Sequence, residues 1–223
     1  MARLFDDAAT EYLEVAKKVV ATQPLTITGW VRSDDVAANQ TVLCIALNTA
    51  GNKFQALCLR GQTAGDPVSM MSLTSGGPSV ANSTAGFVAN AWCHAAGVVY
   101  GAASRAAFIN GGNKGTEGTD EDPGDVLNCT SIGRLCDSSP DYYMSGGLAE
   151  VCLYDVALTD LEIKMLYWGV PPWRIRRNRL KGFWLPIGIR DDRDYSGRGG
   201  NHMTAYNTPS WAADPPMLLR WRT

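Results

Sequence analysis

Gly147-Leu-Ala-Glu-Val-Cys-Leu-Tyr-Asp-Val-Ala-Leu-Thr-Asp-Leu-Glu-Ile-Lys-Met-Leu-Tyr-Trp-Gly169 holds a strand, a turn and a capped helix in one run, and its reading decides the fold. From Leu148 to Tyr154 the residues are apolar and rich in strand formers, which predicts a buried β-strand that Asp155 ends. Thr159 and Glu162 stand three apart, so the Thr hydroxyl can accept from the Glu N–H while the Glu carboxylate reaches back to the Thr N–H, a capping box. Gly169 supplies the stop. Leu158, Leu161, Met165 and Trp168 fall at helical spacing, so this short helix is expected to rest one apolar face on a sheet.

Outward from this unit the chain reads as strands. Leu25, Ile27 and Val31 share one face, with Thr26, Thr28 and Trp30 on the other; bulk on both faces suits a strand near the centre of a sandwich sheet. Thr41 to Leu47 and Phe54 to Arg60 flank Asn48-Thr-Ala-Gly-Asn52, a loop where positive φ is cheap, and so form a hairpin. Val68 to Leu73 continues the meander until Gly76-Gly-Pro78. His94 to Tyr100 and Arg105 to Asn110 pair across the next turn, Val126 to Arg134 is a further strand, and residues 5–20 hold one or two opening strands. Between them, residues 111–125 hold five Gly and five acidic side chains, too polar for a core element, and are expected to be a surface excursion.

At 223 residues the chain suits a single β-sandwich, expected as a unit over residues 1–170. Pro171-Pro172 cannot continue the helix. Residues 171–223 then form a basic, Pro-rich extension expected to complete or wrap the sandwich and to contact neighbours. Through residue 173 there are 10 Lys/Arg against 18 Asp/Glu, and beyond it 10 against 4, so the two parts carry opposite net charge. Trp173, Trp211 and Trp221, with Arg174, Arg176, Arg177 and Arg179, are the residue types that protein interfaces favour and are the candidate partner-binding residues. The run is short, the whole chain is slightly acidic and no nucleic-acid-binding motif accompanies it, so nucleic acid is not expected as a partner.

Six cysteines show no Cys-x-x-Cys pair and no zinc-finger histidine, so they read as buried free thiols of a protein assembled in a reducing compartment, with one or two bridges such as Cys44 to Cys58 as the alternative. The first residues lack the apolar core of a signal peptide, and no apolar run reaches the roughly 18 residues of a membrane span, so neither export by that route nor a membrane partner is expected. Glycoside hydrolysis needs two carboxylates facing one sugar bond, and no strand here spaces them so; Glu150 and Asp155, five apart, fall on opposite faces. His94 sits in a strand, as a hydrogen-bonded sheet residue, and His202 in a Gly-rich loop without a nucleophile. No catalytic residue, cofactor or established metal site follows. The weak metal candidates are Asp120, Asp122 and Asp125 as calcium ligands. Tyr142 and Tyr143 are the candidate aromatic platform for a sugar, among several aromatics that include Trp30, Trp92 and Tyr154.

The closing strand with Glu150-Val151, the Tyr154-Asp155 corner and the Leu158-Thr-Asp-Leu-Glu-Ile163 helix resemble the end of laminin-G-like, concanavalin A-like jelly-roll domains. Phe5-Asp6 with Tyr12-Leu13, Leu25 to Val31, Trp92 to Val98, and Phe108-Ile-Asn-Gly111 ahead of Ile132-Gly133 match in order, over most of residues 5–168. Phe183-Trp-Leu-Pro186 and Asp194-Tyr-Ser-Gly-Arg-Gly-Gly-Asn201 resemble elements with which such modules often open, here placed last. The resemblance implies an all-β, two-sheet antiparallel jelly roll with one short helix and an extended C-terminal arm, and a calcium-binding rim in many members. Single-domain chains of this kind resemble tailed-phage structural proteins. The expectation is therefore a non-enzymatic capsid decoration protein on the virion surface, made in the host cytoplasm, with the major capsid protein and sister subunits as partners. The alternative is a tail-fibre or adhesin module that binds host glycan.

Overall fold

The structure is a computed structural model that describes residues 2–74, 76–185, 192–197, 200–212 and 215. Its strands are β1 (Ala2–Phe5), β2 (Tyr12–Val15), β3 (Leu25–Ser33), β4 (Asn39–Ala46), β5 (Phe54–Arg60), β6 (Pro67–Leu73), β7 (Ser79–Gly86), β8 (Cys93–Gly101), β9 (Ser104–Ile109), β10 (Gly112–Glu117), β11 (Cys129–Ile132), β12 (Gly146–Tyr154), β13 (Leu180–Trp184), β14 (Thr204–Tyr206) and β15 (Ser210–Ala212). One helix, α1 (Asp160–Tyr167), follows β12. The strands form two antiparallel sheets, ordered β10-β9-β8-β3-β12-β1-β15 and β14-β2-β11-β4-β5-β6-β7, with β13 also on β12.

Alternation builds the core between the sheets. Ile27 and Val31 from β3 and Leu148, Val151 and Leu153 from β12 meet Leu43, Ile45, Leu57, Leu59, Val68 and Met70 of the facing sheet. As the two-sided bulk of residues 25–32 predicts, β3 lies centrally, between β8 and β12. Gly97 on β8 faces Met70, whose side chain fills the space a Cβ would need, so the absence of a side chain lets the sheets close there.

The capping box of α1 is present: Glu162 N–H donates to Thr159 Oγ1 at 3.3 Å and Thr159 N–H to Glu162 Oε2 at 2.8 Å. Its buried face differs from the expected one. Ile163 and Leu166 are the covered positions, while Leu161 and Trp168 are exposed and Lys164 lies over the Trp168 ring. Leu158 N–H donates to the buried Thr26 Oγ1, which docks the entry to the helix and turns the Ile163 side toward the sheet.

Residues 111–125 also differ from expectation, because β10 occupies six of those fifteen residues as an edge strand at the surface. A Cβ on Gly115 would run into the Asn82 carbonyl of β7, so glycine permits the edges of the two sheets to meet. The rest of the excursion is held from below by Arg105, whose buried guanidinium donates to the carbonyls of Ala102, Thr119 and Glu121 and to Ser79 Oγ.

Beyond residue 170 the described chain joins both sheets. β13 continues the edge of β12 where β1 stops, β14 pairs with β2, and β15 pairs with β1. Arg3 on β1 forms a buried ion pair with Asp192 at 3.3 Å. Asp194 accepts from the N–H groups of Phe183, Ser196 and Asn201, while Asn201 receives the Trp184 indole N–H at 2.8 Å on its carbonyl. Asp194, Ser196 and Asn201 therefore join in a hydrogen-bonded cluster that holds a fully buried tryptophan. All six cysteines are buried free thiols, and burial pushes Cys58 and Cys93 up to about 12. Among the described residues no helix is long and apolar enough to cross a membrane.

Candidate functional site

The loop from Gly133 to Ser145 lies on the outer face of the second sheet. There Leu135, Cys136 and Tyr142 pack on Cys44, Ala46, Phe54, Ala56 and Cys58. The loop is fixed to itself by an antiparallel bridge between Leu135 and Asp141, and to β4 by Thr41 N–H donating to the Tyr142 carbonyl at 2.9 Å. Tyr142 has φ 53°, a left-handed conformation unusual for a bulky residue, which these bonds hold and which sets the direction of the chain into Tyr143.

Tyr142 and Tyr143 line one cavity of about 230 Å3 together with Asp7, Ala38, Asn39, Gln62 and Asp141. Four separate segments build it: the β1–β2 turn, the start of β4, the turn after β5, and the covering loop. Asn39 is buried and organises the floor, donating to Gln62 Oε1 at 2.9 Å and accepting from Arg60 Nε at 3.3 Å. Asp7 and Asp141 are exposed at the mouth, and none of the described residues lining the cavity is cationic. A rigid aromatic pair beside amides and carboxylates is a set that stacks on a sugar ring and accepts from its hydroxyls.

The aromatic surface continues past the cavity. Tyr143 lies tilted against Tyr12 at 6.4 Å, Tyr12 stacks on Tyr206 of β14 at 4.5 Å, and the Arg134 guanidinium covers Tyr12 at 3.6 Å while pairing with Glu14. Asp141-Tyr142-Tyr143 is the longest contiguous piece of the site among the described residues. Asp7, Asn39, Gln62, Tyr12 and Tyr206 carry no local signal and arrive through tertiary structure, and the approach of Asp7 and Asp141 to one cavity is a carboxylate pairing that no strand spacing announces.

The other candidates fall elsewhere. Asp122 accepts from Gln23 Nε2 and the Gly124 N–H, Asp125 pairs with Lys18, and Asp120 is exposed. Among the described residues no three His, Cys, Asp or Glu side chains converge as a metal site would require. In the basic run, Arg176 pairs with Glu162 at 2.5 Å and Arg179 with Asp155 at 2.9 Å, both acids of the chain's own body, while Arg174 is exposed. Trp173 and Arg177 line a separate cleft. The backbone of Trp211 lies in β15, and its side chain and Trp221 lie outside what is described.

His94 is buried against Trp30 and Tyr167, its backbone pairing with Asn110. Contrary to the expectation of a hydrogen-bonded imidazole, Nδ1 has no partner, and burial lowers the group to about 3. Glu150 occupies the irregular point of β12 where β1 gives way to β13, with φ 50°; burial raises its carboxyl to about 7.

A family model described as the concanavalin A-like lectin/glucanases superfamily matches residues 7–164. The chain belongs to that superfamily. Solved structures with the same concanavalin A-like fold include a putative carbohydrate-binding protein from Bacteroides ovatus (TM-score 0.61, 18% identity), which covers 94% of this chain and of which this chain covers 61%. They also include a pentraxin from Limulus polyphemus (TM-score 0.59, 15% identity, 74% of this chain and 81% of that one). A third is a carbohydrate-binding module of a Ruminococcus gnavus sialidase bound to sialyllactose (TM-score 0.57, 17% identity, 66% and 84%). No curated protein matches the chain significantly in sequence. The family match ends before the segment that supplies β13 to β15, so those edge strands are additions to the part of the concanavalin A-like sandwich that the match covers.

Proposed function

We propose that this chain is a non-catalytic carbohydrate-binding module whose site is the Tyr142–Tyr143 cavity. The observation that carries this reading is the convergence of two tyrosines with Asn39, Gln62, Asp7 and Asp141 in one pre-formed depression. The same fold in proteins described as carbohydrate-binding supports it. The described lining residues include two exposed carboxylates and no cation, and the nearby Arg60 and Arg134 are engaged by Asn39 and Glu14, so a neutral, hydroxyl-rich glycan is favoured over an acidic one that would bring a third anion beside the first two. Both carboxylates face solvent, whereas a general acid needs a carboxyl kept protonated by apolar surroundings, so the site is one for binding and not for hydrolysis.

The test is a neutral-glycan array followed by calorimetry. Tyr143→Ala and Asn39→Ala should each weaken binding at least tenfold with the circular dichroism spectrum unchanged. Absence of binding to every neutral glycan, unimpaired binding by both variants, or turnover of a bound glycan refutes the reading.

Capsid decoration is the second reading, and the described extension argues for placing it second. The arm expected to reach a neighbour supplies edge strands to its own sandwich, and Arg176, Arg179 and Lys181 are paired within the chain. Co-pelleting of the purified protein with capsids lacking it tests that reading and its virion location.

A further inference from the structure

On another face of the molecule, Trp173, Arg177, Phe183, Leu185, Tyr195, Ser196 and Gly197 enclose a cleft of about 500 Å3. Every described lining residue lies beyond the family match. We propose that this cleft is a second ligand site, which holds a carboxylate-bearing sugar of the hexuronate class with its ring between Trp173 and Tyr195 and its carboxylate on Arg177. It does not depend on the Tyr142–Tyr143 reading.

The walls are held in place. Trp173 follows Pro171-Pro172, and the buried Tyr154 hydroxyl donates to the Pro172 carbonyl at 3.1 Å, which fixes the short turn that presents the indole. Phe183 forms the floor, fully buried and 5.9 Å from the Trp173 ring. Tyr195 N–H donates to the Phe183 carbonyl at 2.7 Å, and the Asp194 hub closes the turn through Ser196. Trp173 and Tyr195 nonetheless remain 41% and 44% exposed, so each keeps solvent-facing ring surface. Such faces suit the C–H side of a pyranose, while the Ser196–Gly197 turn and the open mouth leave ring hydroxyls in contact with polar groups and water.

Charge sets the class of sugar. Arg176 and Arg179, on either side of Arg177, are tied to Glu162 and Asp155, which pins the turn carrying all three. Among the described residues Arg177 itself has no ion-pair partner, and none that lines the cleft is acidic. A guanidinium at the rim of an aromatic cleft matches a carboxylate in position and sign.

The probes are trigalacturonate, its methyl ester and a glucuronate-ended disaccharide, titrated calorimetrically into the full chain. We expect at least one free acid to bind, the ester to bind at least tenfold more weakly than trigalacturonate, and the acid's affinity to fall with added salt. Arg177→Gln should lose at least tenfold for the acid and abolish the salt dependence. Trp173→Ala and Tyr195→Ala should each weaken acid binding, and Tyr143→Ala should leave it unchanged. No binding by either acid, equal binding of acid and ester, or full affinity in Arg177→Gln overturns the proposal. A loss in Tyr143→Ala in place of Trp173→Ala also overturns it, by moving the ligand to the other cavity.

Discussion

Two buried groups should make the stability of this sandwich respond to pH in opposite senses, and substitution should unmask each. Glu150 titrates near 7 in the folded chain against 4.5 as its ordinary value, because burial penalises the carboxylate. Its contribution is fully present below about pH 4.5 and is lost as pH rises toward 7, since the unfolded chain releases the proton first. His94 is held near 3 against 6.5, again by burial. Its contribution is present above about pH 6.5 and is lost as pH falls toward 3, since the unfolded chain takes the proton first. Each slope is roughly 1.4 kcal/mol per pH unit. Between about pH 4.5 and 6.5 the two slopes have opposite sign and cancel, leaving their joint contribution flat. Urea denaturation followed by tryptophan fluorescence across that range measures it. Glu150→Gln should leave stability rising with pH through the window, and His94→Gln should leave it falling, whatever either substitution does to the level. Parallel profiles for the parent and both variants would refute the assignment of these protons to the buried pair of sites.

Asp192→Ala leaves the buried Arg3 guanidinium without that carboxylate and should cost about 3–5 kcal/mol, read as a melting temperature lower by roughly 10 °C; Arg3→Met with Asp192→Leu should recover most of it. A loss under about 1 kcal/mol from Asp192→Ala would show that the C-terminal segment is not integral to the sandwich. Thr159→Ala removes a capping-box acceptor and should cost about 0.5–2 kcal/mol in thermal melts without altering ligand affinity. Gly115→Ala sets a methyl group against the Asn82 backbone and should cost about 1–3 kcal/mol by chemical denaturation; a neutral result would mean that the sheet edges stand farther apart than described.

The legible parts of the chain are those whose signals are local. The capping box of Thr159 and Glu162, the alternation of residues 25–32 and the buried run from Leu148 to Tyr154 each fold as their own sequence dictates. Periodicity alone misassigned the covered face of α1, because the Leu158–Thr26 contact that orients the helix spans more than a hundred residues. β7 and β10, with their small and polar residues, gave no hydrophobic alternation to read, although Ser79, Ala81 and Ser83 of β7 turn inward; the close approach of Gly115 to the Asn82 carbonyl is what sets β10 beside β7. Of the candidate site, Tyr142 and Tyr143 were visible as adjacent aromatics. Asn39, Gln62 and Asp7 were not, since no spacing along the chain encodes which turns meet at one end of a sandwich. The basic run was visible as charge, but the pairing of Arg176 with Glu162 and of Arg179 with Asp155 was not, since no spacing along the chain encodes it.

The pairing of β15 with β1, at Ala212 opposite Ala2, brings the first and last strands side by side. During synthesis from the amino end, β1 therefore waits for nearly the whole chain before its outer neighbour exists, and its inner neighbour β12 begins only at Gly146. Pairings of such long sequence separation slow folding and leave an early strand open to unwanted partners meanwhile. The same adjacency makes the fold nearly circular. A short linker from residue 212 to residue 2, with new ends cut at Gly76-Gly-Pro78 between β6 and β7, should give a permuted chain in which β15 and β1 become consecutive and pair as soon as both emerge.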